Sequence, residues 1–258
     1  MAKVDIKDFT MSSIKILVPR LYHMGGVANI YNTLREHLSP EYEYIYRGNA
    51  SRNESILTIP WRMFKDYFVF CKKTWFETKA IVLNSSLGYG GFVRDGIYFK
   101  LAPRRVKKIV FFHGWNHEFE NKIDKSCILK SWIKMTFFKA NHIIVLSSEF
   151  KNKLRELGYK ESVSLESTLV DESILERVNF ESLVEFRTRS ENTSILYLGN
   201  ISKAKGVWEV IEAYRILCNK LKSKNLKCNM AGDGQELDAL KKYVNTHNLF
   251  LAWVFCAH

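Results

Sequence analysis

Four short segments hold the side chains of this sequence that could do chemistry. Gly25-Gly26 lies between a strand-like and a helix-like stretch. Two adjacent glycines let a ligand approach the backbone, and free N–H groups at a helix start favour an anion. Alone, the pair fits a tight turn equally well: it is not G-x-G-x-x-G, and no Walker lysine follows. Phe112-His113-Gly114-Trp115 ends an apolar run, so His113 is expected at the carboxyl edge of a sheet. There it could donate to a substrate hydroxyl or a developing negative charge, although bonding to nearby backbone is the commoner use of such a histidine. In Gly199-Asn-Ile-Ser-Lys-Ala-Lys205-Gly206, Lys205 is expected to project from a helix start. An ammonium beside free N–H groups could hold a pyrophosphate there, while a lone lysine in a polar turn is otherwise simply solvated. Ala231-Gly232-Asp-Gly234 is a second glycine turn able to approach a nucleotide. No carboxylate pair, G-x-S-x-G elbow or cluster with metal-ligand spacing stands out, so no metal ligand is assigned and hydrolase chemistry has no support.

The elements that must position these residues alternate between strand and helix. Ile14–Pro19 reads as a strand, followed by a helical stripe of Val27, Ile30, Tyr31, Leu34 and Leu38. Tyr42–Tyr46 suits a second strand. Trp61–Phe76 follows as a helix with Trp61, Phe64, Phe68, Cys71 and Trp75 on one stripe. Ile81–Leu83, Lys108–Phe112 and Ile143–Leu146 are apolar runs of buried-strand type, with a basic helix at Phe92–Leu101. Ser148–Leu157 reads as a helix with Ser148 as its N-cap. The pattern restarts with strand Ser194–Leu198, helix Val207–Lys220, strand Lys227–Met230 and helix Gln235–Tyr243. This alternation predicts an α/β fold with two Rossmann-like parallel sheets, whose ligands sit beyond the strands' carboxyl ends. The acidic, aperiodic stretch 161–192 suits a connection, giving domains at 1–172 and 192–258 joined by 173–191.

The composition sets limits. Residues 51–160 carry 21 basic and 9 acidic side chains, and this stretch holds the whole formal excess of +12. Whatever that excess attracts is expected to dock there. The 47% hydrophobic content, 14% aromatic content and 4 prolines exclude a disordered or collagenous chain. Five cysteines, Cys71, Cys127, Cys218, Cys228 and Cys256, are an odd set without C-x-x-C and suit a reducing compartment. Residues 1–10 lack a signal-peptide core, and no apolar run approaches the roughly 20 residues of a membrane span, so a cytoplasmic chain is expected.

Set in order from Ile14 to Val254, the turns resemble GT-B glycosyltransferases of family 4, which are retaining and nucleotide-sugar dependent. Met24-Gly-Gly-Val27 is similar to the family's amino-terminal glycine loop, and Phe112-His113-Gly114 to its strand-end histidine. Ala140–Ser147 resembles its "a-D-x-i-i-x-x-S" segment. Leu198-Gly199 through Lys205-Gly206, then Ile211, Glu212 and Ala213, resembles "G-R-x-x-x-x-K-G…l-i-x-A", and Met230–Gly234 resembles the "x-G-x-G" turn. The resemblance implies that Gly25 and Gly26 present N–H groups to acceptor or donor phosphate, and that His113 lies beside the transferred sugar. It also implies that Lys205 neutralises the pyrophosphate leaving group, with Gly199, Asn200, Gly232 and Gly234 around the donor. The co-substrate would be a UDP- or GDP-linked sugar, with no cofactor.

Two departures stand against the family pattern. Asn200 takes the place of a usual arginine, with Lys203 as a possible substitute. Phe250-Leu-Ala-Trp-Val254 resembles the "F-x-G-W-V" strand with Ala252 for glycine, and the sequence stops four residues later, before the segment with two glutamates that hold the donor. The expectation is a second domain incomplete at its carboxyl end, and weak or no transfer activity.

The basic stretch supplies the acceptor side. Arg62, Lys65, Lys72 and Lys73 face the aromatic stripe of residues 61–76, and Arg104 and Arg105 follow the second basic helix. Basic helices with aromatic flanks suit an anionic membrane surface, although a solvated face over ordinary core packing gives the same pattern. The expected acceptor is a saccharide or lipid-linked saccharide at the inner face of the membrane, in O-antigen or capsule-type synthesis. The alternatives are a non-catalytic partner or remnant built on the same fold, and a basic nucleic-acid-binding protein, for which no recognition motif is present.

Overall fold

Apolar strands alternating with amphipathic helices fold into two compact units, Met1–Asp171 and Glu172–His258. The computed structural model describes residues 14–22, 25–49, 55–169, 171–176, 178–189, 193–221, 225–249 and 251–254. Residues 1–10, Met24, Phe250 and Cys256, which entered the sequence reading, lie outside the described residues.

The first unit runs β1 (Ile14–Pro19), α1 (Gly26–Leu34), β2 (Tyr42–Arg47), α2 (Ile59–Trp75), β3 (Ala80–Leu87) and α3 (Tyr89–Leu101). It continues through β4 (Lys107–Trp115), α4 (His117–Lys125), α5 (Cys127–Met135), β5 (His142–Val145), α6 (Ser148–Glu156) and β6 (Ser162–Leu165). Its six strands pair in parallel in the order β2-β1-β3-β4-β5-β6. The chain leaves β1 toward one edge and returns to β3 on the other side, so the order reverses between β1 and β3. Helices diverge at such a point and leave a crevice at the strands' carboxyl ends. The central strands are covered on both faces, and Leu17, Ile81, Leu83, Val110, Phe112, Ile143 and Val145 are buried with Phe70, Phe92 and Phe137 from the helical layers. Each such side chain contributes about 1.5–3 kcal/mol of burial.

The two basic helices pack differently from each other. In α3 the aromatics Phe92, Tyr98 and Phe99 are buried, so that helix is an ordinary core element. Gly96 lets its backbone meet Trp132, whose indole nitrogen would stand 2.6 Å from an added Cβ. In α2 the buried face is Asp66, Phe70 and Thr74, and the stripe read from the sequence points outward: Trp61 is 72% exposed, Phe64 62% and Phe68 62%. Among the described residues no helix is long and apolar enough to cross a membrane. At α6 the N-cap is Ser147, not the expected Ser148, because the Ser147 hydroxyl accepts the Glu149 N–H at 3.1 Å.

The second unit comprises α7 (Ser173–Glu176), α8 (Phe180–Arg189), β7 (Thr193–Leu198), α9 (Val207–Leu221), β8 (Leu226–Ala231), α10 (Leu237–Thr246) and β9 (Leu251–Val254). Its three strands are parallel in the order β7-β8-β9. Tyr197, Ile201, Val207, Ile211, Tyr214, Met230, Leu240 and Val244 form its core. The stretch 173–191 therefore carries helix, where the sequence suggested a connection without periodicity. It reads as aperiodic because no described residue of α8 is buried, so no apolar stripe was needed there.

Candidate functional site

In the first unit the site forms where β1, β3 and β4 end beside the start of α1. Gly25 is the N-cap of α1, and nothing among the described residues lies within 4 Å of a Cβ built on Gly25 or Gly26. His113 reaches the site through an irregularity in β4. Ser85 pairs with Phe112 and Ser86 with Gly114, leaving His113 as the extra residue. Such a bulge re-aims a side chain that regular pairing would place elsewhere. The ring packs on Phe111 at a centroid distance of 3.7 Å and meets Tyr31 edge-on.

The protonation of His113 follows from its partners. Its Nε2 lies 2.7 Å from Asn84 Oδ1. The Asn84 amide group is fixed: Nδ2 donates to the Leu17 carbonyl at 2.9 Å, and Oδ1 also accepts the Tyr31 hydroxyl at 2.9 Å. Oδ1 can only accept, so Nε2 carries the proton and Nδ1 is a bare lone pair. That Nδ1 is buried and has no partner among the described residues. Burial, reinforced by the nearby Arg47 guanidinium, pushes the ring down from 6.5 to about 4, so it is neutral at physiological pH. Burial also raises the Tyr31 phenol to about 12, which keeps it a donor. The sequence pointed to His113 as a hydrogen-bond donor. The available ring atom is instead an acceptor, because Asn84 occupies the N–H.

This geometry fixes a pH dependence. A histidine depressed in the folded state is protonated more readily when unfolded, so its stabilising contribution is complete above about pH 6.5 and is lost as pH falls toward 4. Wild-type melting temperature is expected to fall across that window. His113→Gln, whose amide can still donate to Asn84, should fall less steeply in the same thermal titration. Parallel curves would refute the assignment.

Gly26, Arg47, Asn84, Ser86, His113 and Thr168 line a cavity of about 300 Å³ at this point. Asn84, Ser86 and Arg47 were not singled out by the sequence, and Tyr31 only as part of an apolar stripe. The polar triplet Asn84-Ser-Ser86 directly after Ile81-Val-Leu83 was the available signal, since polar residues ending a buried strand sit at the sheet's ligand edge.

In the second unit the turns after β7 and β8 are joined. Gly199 N–H bonds to the Ala231 carbonyl at 3.0 Å, Ile201 N–H to the Asp233 carbonyl at 2.9 Å, and Glu236 N–H to the Ile201 carbonyl at 3.1 Å. A Cβ at position 232 would lie 1.9 Å from the Gly199 carbonyl oxygen, and one at 234 would lie 2.3 Å from that of Ile201. Gly232 and Gly234 are thus required for one backbone to lie against another, a structural use beside any ligand contact. Asn200 is exposed, and its carbonyl accepts the Tyr197 hydroxyl at 2.7 Å. Lys203–Lys205 form a single 3-10 turn closed by Gly206 in the left-handed conformation (φ 70°). Both lysines are exposed, and Lys205 immediately precedes that glycine and the start of α9.

The six basic residues expected on a surface divide. Lys65 and Lys72 are exposed on α2, and Arg104 is exposed beyond α3. Arg62 instead bonds to Asp66 at 3.2 Å, and Arg105 donates to the Trp75 carbonyl. Lys73 pairs with Glu43, which also holds Lys15. Burial disfavours the Glu43 charge, but these two ammoniums outweigh it and bring its pKa to about 2.

The family described as Glycosyl transferases group 1 matches residues 180–251. An uncharacterized glycosyltransferase of Methanocaldococcus jannaschii is 25% identical over 285 residues, covering 92% of this chain and 68% of that protein. Among solved structures, a glycosyltransferase from Rickettsia africae ESF-5 is similar with a TM-score of 0.54 and 14% identity, over 96% of this chain and 69% of that one. S. aureus MnaA with UDP gives a TM-score of 0.55 and 12% identity over 94% and 68% of the two chains. The E. coli trehalose-6-phosphate structure bound with UDP-2-fluoro glucose gives 0.59 and 9% over 95% and 74%. The fold is that of GT-B glycosyltransferases, and the match in the second unit supports a glycosyltransferase.

Proposed function

We propose that this chain transfers a sugar from a nucleotide-sugar donor to an acceptor, with residues 192–258 as the donor side and 1–172 as the acceptor side, joined by 173–191. The observation that carries this reading is the joined pair of glycine turns at the carboxyl ends of β7 and β8, with Lys205 beside them, inside the segment matched by the group 1 family. Glycosyl transfer builds negative charge on the departing phosphate. A fixed ammonium and main-chain N–H groups stabilise that charge most where water is excluded. The UDP held by solved structures of the same fold supports UDP as the donor nucleotide.

On the acceptor side, His113 Nδ1 accepts a hydrogen bond from a sugar hydroxyl, and the start of α1 at Gly25-Gly26 faces an anionic group. The reaction is of the retaining family 4 type. The exposed aromatics of α2, with Lys65 and Lys72, support docking on an anionic membrane surface that carries a lipid-linked saccharide, in cell-surface polysaccharide synthesis. The test is calorimetric titration with UDP- and GDP-sugars, followed by release of the nucleoside diphosphate in the presence of lipid-linked acceptors. Saturable nucleotide-sugar binding is expected. No binding of any nucleotide or nucleotide sugar would end the proposal.

A further inference from the structure

A second cavity, of about 350 Å³, has Arg47, Arg62, Asp66, Arg94, Ser86, Gly90 and Gly91 in its lining. Gly90 and Gly91 belong to the first turn of the 13-residue α3. Position 91 must be glycine for that turn to lie against the end of β3, since a Cβ would stand 2.6 Å from Ser86 Oγ and 2.9 Å from its carbonyl. The carboxylates present are committed to two of these arginines. Asp95 is fully buried, chelates Arg94 at 2.7 and 3.1 Å and accepts the Ser85 hydroxyl at 2.8 Å. Asp66 accepts the Gly48 N–H at 2.9 Å as well as Arg62.

Arg47 is the cation left over. It is 9% exposed, its nearest carboxylate oxygen is 3.8 Å away on Asp95, and Nη2 donates to the Asn84 carbonyl at 2.7 Å. Its Nε is buried with no partner among the described residues. A buried guanidinium with an unused donor, whose counter-charge is a carboxylate 3.8 Å away already chelating Arg94, is costly unless something completes it.

We propose that this cavity binds the phosphate group of a phosphorylated acceptor. The three guanidiniums exceed the two carboxylates Asp66 and Asp95 by one charge, Arg47 offers an unused Nε, and the start of α3 adds main-chain polarity of the right sign. The cavity shares Arg47 and Ser86 with the one beneath His113. The link to an acceptor rests on the first unit being the acceptor side; the phosphate site itself does not.

The test titrates inorganic phosphate by calorimetry into the full chain carrying Lys205→Met, at constant ionic strength balanced with chloride, so that the donor-side turn does not contribute. Saturable binding is expected, weakened by about tenfold in each of Arg47→Gln and Arg62→Gln. Circular dichroism checks the fold of both. The Arg62 side chain is 20% exposed, so its replacement keeps the test decisive if the buried Arg47 variant misfolds. Absent binding, or binding unchanged by Arg62→Gln, overturns the site. Vesicles of phosphatidic acid competing with phosphate assign the group to a lipid, and unchanged phosphate affinity assigns it to a soluble ester. Lost nucleotide-sugar binding with retained phosphate binding would sink the transferase reading alone, and the converse would sink this site alone.

Discussion

Lys205→Met is expected to lower nucleotide-sugar turnover by about two to three orders of magnitude while leaving the melting temperature unchanged. The lysine is exposed in a tight turn, so its removal leaves no cavity and breaks no core contact. Its proposed partner is the charge that appears as the glycosidic bond to phosphate breaks. The loss should therefore fall mainly on kcat, with a smaller change in donor affinity. Lys203→Met is the internal comparison: it sits in the same 3-10 turn, two residues further from α9. If Lys203 substitutes for the cation missing at Asn200, its replacement also lowers turnover. If it is only solvated, turnover is unchanged. Equal, small losses at both positions would remove Lys205 from the mechanism.

The second large effect concerns α2. A chain with Trp61, Phe64 and Phe68 all changed to serine is expected to lose flotation with phosphatidylglycerol vesicles, a drop of more than about a hundredfold in partitioning. The three rings form one outward strip, with Trp61 and Phe64 stacked at 5.9 Å. They bury little in the folded chain, so the variant should melt as wild type does, or higher. Lys65→Gln with Lys72→Gln should weaken the same binding by about 1 kcal/mol per residue at low salt, and less at high salt. Wild-type chain that ignores anionic vesicles would overturn membrane docking and leave the aromatic strip for another partner.

The contrast between α2 and α3 marks what the sequence could carry. Both helices show aromatic and basic residues at helical spacing. Periodicity identifies a stripe but does not say what lies against it. In α3, Gly91 and Gly96 admit the backbone to β3 and Trp132, which draws Phe92, Tyr98 and Phe99 inward. In α2, the inward face is held by Asp66, which bonds Gly48 and Arg62, and by Phe70 and Thr74 below it. A carboxylate marking the buried side of a helix inverts the usual reading. The strand-ending turns were legible because parallel β-turn-α units have few ways to close. The hydrogen-bond network around His113 was not, since it depends on a bulge and on three residues from β1, α1 and β4 meeting at the Asn84 amide of β3.

The bonds that lace the turn after β7 to the turn after β8 have one more consequence. A ligand resting on both meets a surface already ordered when the chain folded, so little loop freedom is left to lose on binding. That order resides in the main chain, in two glycines and in the Asp233 carboxylate, which accepts the Gly234 N–H at 2.8 Å. The exposed side chain at Asn200 can therefore change, altering which ligand is favoured, without the platform itself being rebuilt.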